Sequence, residues 1–161
     1  MPSELLYRII DEPTESRVAG YAVRPFWPWL SLALAGTWLG APWFIFNAVA
    51  LGSPTKKREI ALAAALPLVQ LVVFVASVLA AGQLGFQKDR LTEVVGFVML
   101  PYSFVKLVCG YLLFTWQSRV MELHEHFGKP TRNGVFVLVV GTFLSSRLIA
   151  SLPVLVTVAL R

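Results

Sequence analysis

Hydrophobic and polar positions fall in long blocks along this chain. Four apolar stretches, 26–51, 59–82, 93–117 and 135–159, are separated by short charged or turn-rich segments. Each exceeds the roughly 20 residues that carry a helix across about 30 Å of hydrocarbon at about 1.5 Å per residue. In lipid the backbone must satisfy its own hydrogen bonds, and stretches of this length do so as helices. The pattern predicts an all-α integral membrane protein with four transmembrane helices. Proline occurs in every stretch, as Pro42, Pro67, Pro101 and Pro153. Each removes a backbone donor and is expected to bend its helix.

The turns between the stretches repeat. Gly52-Ser53-Pro54-Thr55-Lys56 returns as Gly128-Lys129-Pro130-Thr131-Arg132, and at the same offset Pro25-Phe26 aligns with Pro101-Tyr102. The chain thus reads as two parallel helical-hairpin repeats, with 25–80 corresponding to 101–156 about an axis along the membrane normal. An N-terminal extramembrane tail (1–25) precedes a first transmembrane hairpin (26–82). A connecting loop (83–92) leads to the second hairpin (93–161). In the tail, Leu5, Leu6, Ile9 and Ile10 form the apolar face of a short amphipathic helix, with Ser3 placed to cap it and Pro13 to end it. Its interspersed charges leave no apolar core for a cleavable signal peptide, so the first stretch is expected to stay in the membrane.

Composition supports the bilayer as the principal partner. The chain is 57% hydrophobic and 14% charged, with a mean hydropathy of +0.69. A soluble domain is nearer 45–50% and about 25%. The net charge is +5. Its basic residues never cluster outside the short loops, a pattern that suits anionic lipid and not nucleic acid. A lone Cys109 excludes an internal disulfide. Two parallel hairpins put Lys56, Lys57, Arg58, Arg119, Lys129 and Arg132 on one face. Arg8, Arg17, Arg24, Lys88, Arg90 and Arg161 fall on the other. The counts balance, and the dense Lys56-Lys57-Arg58 run assigns the repeated turns to the cytoplasm and both termini to the outside. Phe26, Trp27 and Trp29 open the first stretch and Trp116 closes the third, at headgroup level.

The candidate chemistry lies inside the stretches. Lys106 and Arg147 fall near the middle of the third and fourth. A charge at that depth costs at least about 2.5–3.5 kcal/mol. Glu59 and Glu93 only mark the starts of stretches, so no acid is placed to pair with the cations. They are expected to meet carbonyls, water, an anionic ligand or a partner's carboxylate, and to avoid open lipid. Asn47 is expected to cap or bridge near the first basic turn, and Gln70 to hydrogen-bond across helices at about 0.6–2 kcal/mol. Gly36 with Gly40, and Gly141 with Ser145, are small residues four apart that let helices approach closely. His124 and His126, with Glu122 and Glu125, read as a charged, water-exposed helix end, without the spacing of a metal site. No catalytic set, phosphate loop or cofactor motif is present, so no enzyme activity is expected.

Gly40-x-Pro42 followed by Asn47-x-x-x-Leu51-Gly52 and a basic turn, then Gln117, His124, Gly128 and a second basic turn, covers about a third of the chain. This arrangement resembles a group of small multi-pass bacterial membrane proteins of uncharacterised function. The resemblance implies a protein of the bacterial cytoplasmic (inner) membrane and no particular activity. Three functions fit. The first is a non-enzymatic subunit or scaffold of a membrane assembly, as a homo-oligomer or with other membrane proteins. The second is an oligomeric channel or carrier for an anion. The third is a sensor of anionic lipid.

Overall fold

The computed structural model describes residues 16–84 and 91–161. A single 3-10 turn, Ala19–Tyr21, precedes α1 (Phe26–Leu34), α2 (Thr37–Ala50), α3 (Lys56–Gln83), α4 (Leu91–His126), α5 (Val135–Ala150) and α6 (Val154–Leu160). The expected helix in the tail, and Lys88 and Arg90, lie outside the described residues. Among the described residues the fold is all-helical, with extended pairing limited to one bridge between Val23 and Arg132.

Two helices, α3 and α4, are long and apolar enough to cross a membrane, and they pack side by side. Only 17% and 22% of their most apolar stretches is buried within the chain. Their apolar side chains therefore face largely outward, unlike those of a mostly buried core helix.

The stretch 26–51, expected as one span, is instead a tight antiparallel hairpin. Its bend is Gly36, at φ +104° and ψ −178°, a region that essentially only glycine enters. Ser31 O accepts the N–H of Ala35 at 2.8 Å and of Gly36 at 3.1 Å, closing α1. Gly40 N–H donates to Gly36 O at 3.1 Å and opens α2. On either side of the bend the helices touch backbone to backbone, since a Cβ on Gly40 would lie 2.6 Å from Leu32 Cα. Farther out, Val23 N–H reaches Asn47 Oδ1 at 2.9 Å, and Ala22 packs with Ala50 and Leu51. Gly36 and Gly40 are thus not a pair on one helix. One turns the chain and the other seats α1 on α2. With 9 and 14 residues, the two helices are about 13 and 21 Å long, too short to cross alone.

The stretch 135–159 is broken as well. Its α5 ends at Ala150, and Pro153 caps α6 where a missing N–H cannot continue the helix. Thr157 Oγ1 donates to Ile149 O at 3.2 Å, drawing α6 back against the end of α5. Small residues seat α5 on the hairpin. Gly141 lies against Leu39, and Ser145 Oγ donates to Ala35 O at 2.6 Å.

The two repeated turns share their main-chain bonding. Gly52 N–H bonds Val49 O at 3.2 Å and Ser53 N–H bonds Ala48 O at 3.2 Å; Gly128 N–H bonds Glu125 O at 2.9 Å and Lys129 N–H bonds His124 O at 3.2 Å. With φ of +63° and +66° at the glycines, both are Schellman closures of a helix. The correspondence stops there. α3 begins at Lys56, whereas α5 waits until Val135, and the bend at Gly36 faces an unbroken α4 in the second copy.

Residues 16–25 lie beside both turns, not on the opposite face as expected. Arg132 N–H donates to Ala22 O at 2.8 Å, and Arg24 Nε meets Glu125 Oε1 at 3.0 Å. The cause is the hairpin, which returns the end of the first stretch to the face where it began. The Arg24–Glu125 pair is exposed, so Arg24→Ala is expected to cost under about 1 kcal/mol in thermal unfolding.

Candidate functional site: a buried polar knot and a cationic cleft

Beneath the first basic turn, Asn47, Ser53, Glu59 and Gln117 are all buried, and together they tie the hairpin to both long helices. Gln117 of α4 is the centre. Its Nε2 donates to Phe44 O at 2.8 Å and to Glu59 Oε2 at 3.0 Å, while its Oε1 accepts from Asn47 Nδ2 at 2.9 Å. Glu59 Oε1 accepts from Ser53 Oγ and, at 2.7 Å, from Thr55 Oγ1. Three donors from the turn and α4 thus surround a carboxylate that is 1% exposed. Burial of a polar group is tolerated only when its bonds are made, and here they are made by neutral groups. The knot is a clamp. It leaves no open face on the carboxylate for a substrate.

Glu59 is the residue that sequence reasoning underrated, as a mere marker of a helix start. Its signal was the Ser53-x-Thr55 turn ahead of it, since Thr55 and Glu59 stand four apart on one helical face. His124 departs from expectation too. It is buried beneath the second turn, with Nε2 3.5 Å from Pro130 O, while His126 and Glu122 are exposed. The turn at Gly128 folds the chain back over the helix end, and covers the one histidine on that side.

The hairpin bend lies deeper. Thr37 Oγ1 donates to Gln70 Oε1 across α2 and α3. Along α3 the drop from Glu59 to Gln70, and along α4 from Gln117 to Lys106, is about 16 Å at 1.5 Å per residue. That is about half a hydrocarbon core. Here the C-terminal end of α6 abuts the N-terminal end of α2, because a Cβ on Gly36 would lie 2.7 Å from the main-chain oxygens of both Leu160 and Arg161. The two helix dipoles meet with opposite ends, which is the favourable sense.

Beside this junction is a cleft of about 600 Å³, lined by Lys106, Arg161, Thr142, Ser145 and Thr157, with Leu34 on an apolar wall. Lys106 is 9% exposed. Its Nζ donates to Arg161 O at 3.0 Å and stands 5.9 Å from the centre of the Tyr102 ring, whose hydroxyl donates to Val158 O at 2.6 Å. Arg147 is not part of the cleft. It is exposed on α5 of the single chain, apart from Lys106. Two positions beyond Ser145 it points roughly 200° away around the helix, off the face that docks on the hairpin. Of the expected residues, the structure brings Asn47 into the knot and Gln70 to the bend. It brings Lys106 and Ser145 to the cleft, and leaves Arg147 outside all three.

No protein-family model, curated protein or solved structure matches the chain.

Proposed function

We propose a non-enzymatic multi-pass membrane protein that serves as a subunit or scaffold of a membrane-embedded assembly. In this reading α3 and α4 cross the bilayer. The α1–α2 and α5–α6 pairs dip in from the face that carries both basic turns. The carrying observation is the part of α3 and α4 beyond the reach of either pair, where Leu79 and Val95 are exposed. Two helices alone bury little of one another. Among the described residues nothing lies within 4 Å of where a Cβ on Gly96 of α4 would stand, which leaves room for another helix to approach closely. Further copies of the chain, or other membrane subunits, complete that stem.

The turn face gathers Arg17, Arg24, Lys56, Lys57, Arg58, Arg119, Lys129 and Arg132. That asymmetry supports placing it in the cytoplasm, with a bacterial inner membrane as the setting implied by the resemblance above. Single cysteines at Arg24, Lys56 and Lys129 are expected to label from one side and a cysteine at Gln83 from the other. Labelling of Arg24 and Lys56 from opposite sides would defeat this topology. For the assembly, Gly96→Leu is expected to abolish association in native mass spectrometry while thermal stability stays unchanged. Unchanged association would leave the stem facing lipid alone and refute the scaffold.

A second reading, a carrier or receptor for an anion, is favoured by one observation. The cationic cleft lies at half the depth of the proposed spans, where discontinuous helices meet, as in membrane binding sites built on broken helices.

A further inference from the structure

We propose that the cleft at the hairpin bend binds an oxyanion, a carboxylate or phosphate group attached to a short apolar body. The proposal rests on the membrane reading above, whose labelling test involves no ligand and stands or falls separately. An ammonium carries three N–H donors. Lys106 commits one to Arg161 O. Among the described residues no acidic side chain lines the cleft, and a second cation, Arg161, does. The hydroxyls do not compete as donors. Thr142 Oγ1 donates to Leu138 O at 2.8 Å, Ser145 Oγ to Ala35 O and Thr157 Oγ1 to Ile149 O. The remaining donors therefore belong to two cations, and they complement a group that only accepts.

Size and access narrow the ligand. About 600 Å³ admits a headgroup-sized anion with a short length of chain. The apolar wall ends at Leu34, which is 59% exposed, so the cleft opens sideways toward what surrounds the bundle. An amphiphile enters by that route with its chain outside and its charge within. A low-dielectric setting strengthens the attraction, since the Coulomb energy rises as the effective dielectric constant falls.

The test uses the full chain in a neutral detergent, with oleate, inorganic phosphate and phosphatidylglycerol in phosphatidylcholine vesicles as separate probes. Thermal shift and native mass spectrometry read the binding. Wild type is expected to bind oleate. Lys106→Met should weaken that binding about tenfold or more, the worth of one charge-assisted hydrogen bond. Lys106→Arg should retain it, Arg161→Gln should weaken it, and Arg147→Met, outside the cleft, should leave it unchanged. Binding of phosphate as tight as that of oleate would identify a water-borne source for the same oxyanion. Tight binding of phosphatidylglycerol would identify a bilayer lipid. If Lys106→Met fails to fold, Lys106→Arg and Arg161→Gln decide between the outcomes. Equal weakening by Arg147→Met would show only general charge attraction, and the absence of binding by all three probes would overturn the proposal.

Discussion

Gln117→Leu is expected to destabilise the protein by about 3–5 kcal/mol, because three buried polar groups lose a hydrogen bond at once. The leucine fills a similar volume, so the loss is one of bonding, not of packing. It leaves Phe44 O, Asn47 Nδ2 and Glu59 Oε2 without the partner each has now. An unsatisfied buried group costs about 1–3 kcal/mol, and more when charged. Thermal unfolding in detergent measures the loss. A double-mutant cycle with Asn47→Ala checks the mechanism, because residues in one hydrogen-bond network couple and distant residues add. Strict additivity would show that Asn47 and Gln117 are not joined as described.

Gly36→Ala is expected to be comparably damaging, at about 3 kcal/mol in the same measurement. The backbone there is one that only glycine adopts without strain of about 1–3 kcal/mol. The new methyl would also stand 2.7 Å from two main-chain oxygens of α6, and overpacking of this kind costs about 1–3 kcal/mol more. Relief is available only by moving α6 away, so amide exchange over Thr157 to Arg161 should quicken in this variant. Gly96→Ala is the contrast. It sits in helix α4 with none of the described residues within 4 Å of the new methyl, and is expected to be neutral or to stabilise by up to about 1 kcal/mol. Equal effects at Gly36 and Gly96 would mean that the bend is not constrained.

Hydropathy made the two long helices legible, because length and apolar content are all that α3 and α4 require. It could not show the hairpin. A glycine inside an apolar run is compatible with a straight helix until its φ is known, and Gly36 takes a value that ends α1. The same limitation hid α6, although Pro153 marked the place. The polar residues were legible as exceptions to their surroundings, and Asn47, Gln70 and Lys106 could be singled out for that reason. Their partners were not, since Gln117, Thr37 and the main-chain oxygen of Arg161 arrive from distant parts of the chain. Glu59 was misjudged because a carboxylate in the first turn of a helix ordinarily faces solvent and favours the helix dipole. Only the folded hairpin and the Ser53-Pro54-Thr55 turn close over it. Arg147 was grouped with Lys106 from depth alone, and depth says nothing about which side of a helix a residue occupies.

The central claim is that residues 26–51 double back at Gly36, and a distance across that stretch tests it most directly. Spin labels at Tyr21 and Val49, both exposed, can be introduced in a Cys109→Ala background and measured by pulsed electron resonance. A single unbroken span would separate these positions by about 40 Å at 1.5 Å per residue. The hairpin brings both ends to the basic-turn face and predicts a distance under about half of that value. A distribution centred near 40 Å would contradict the fold, and with it the knot and the cleft that the bend creates.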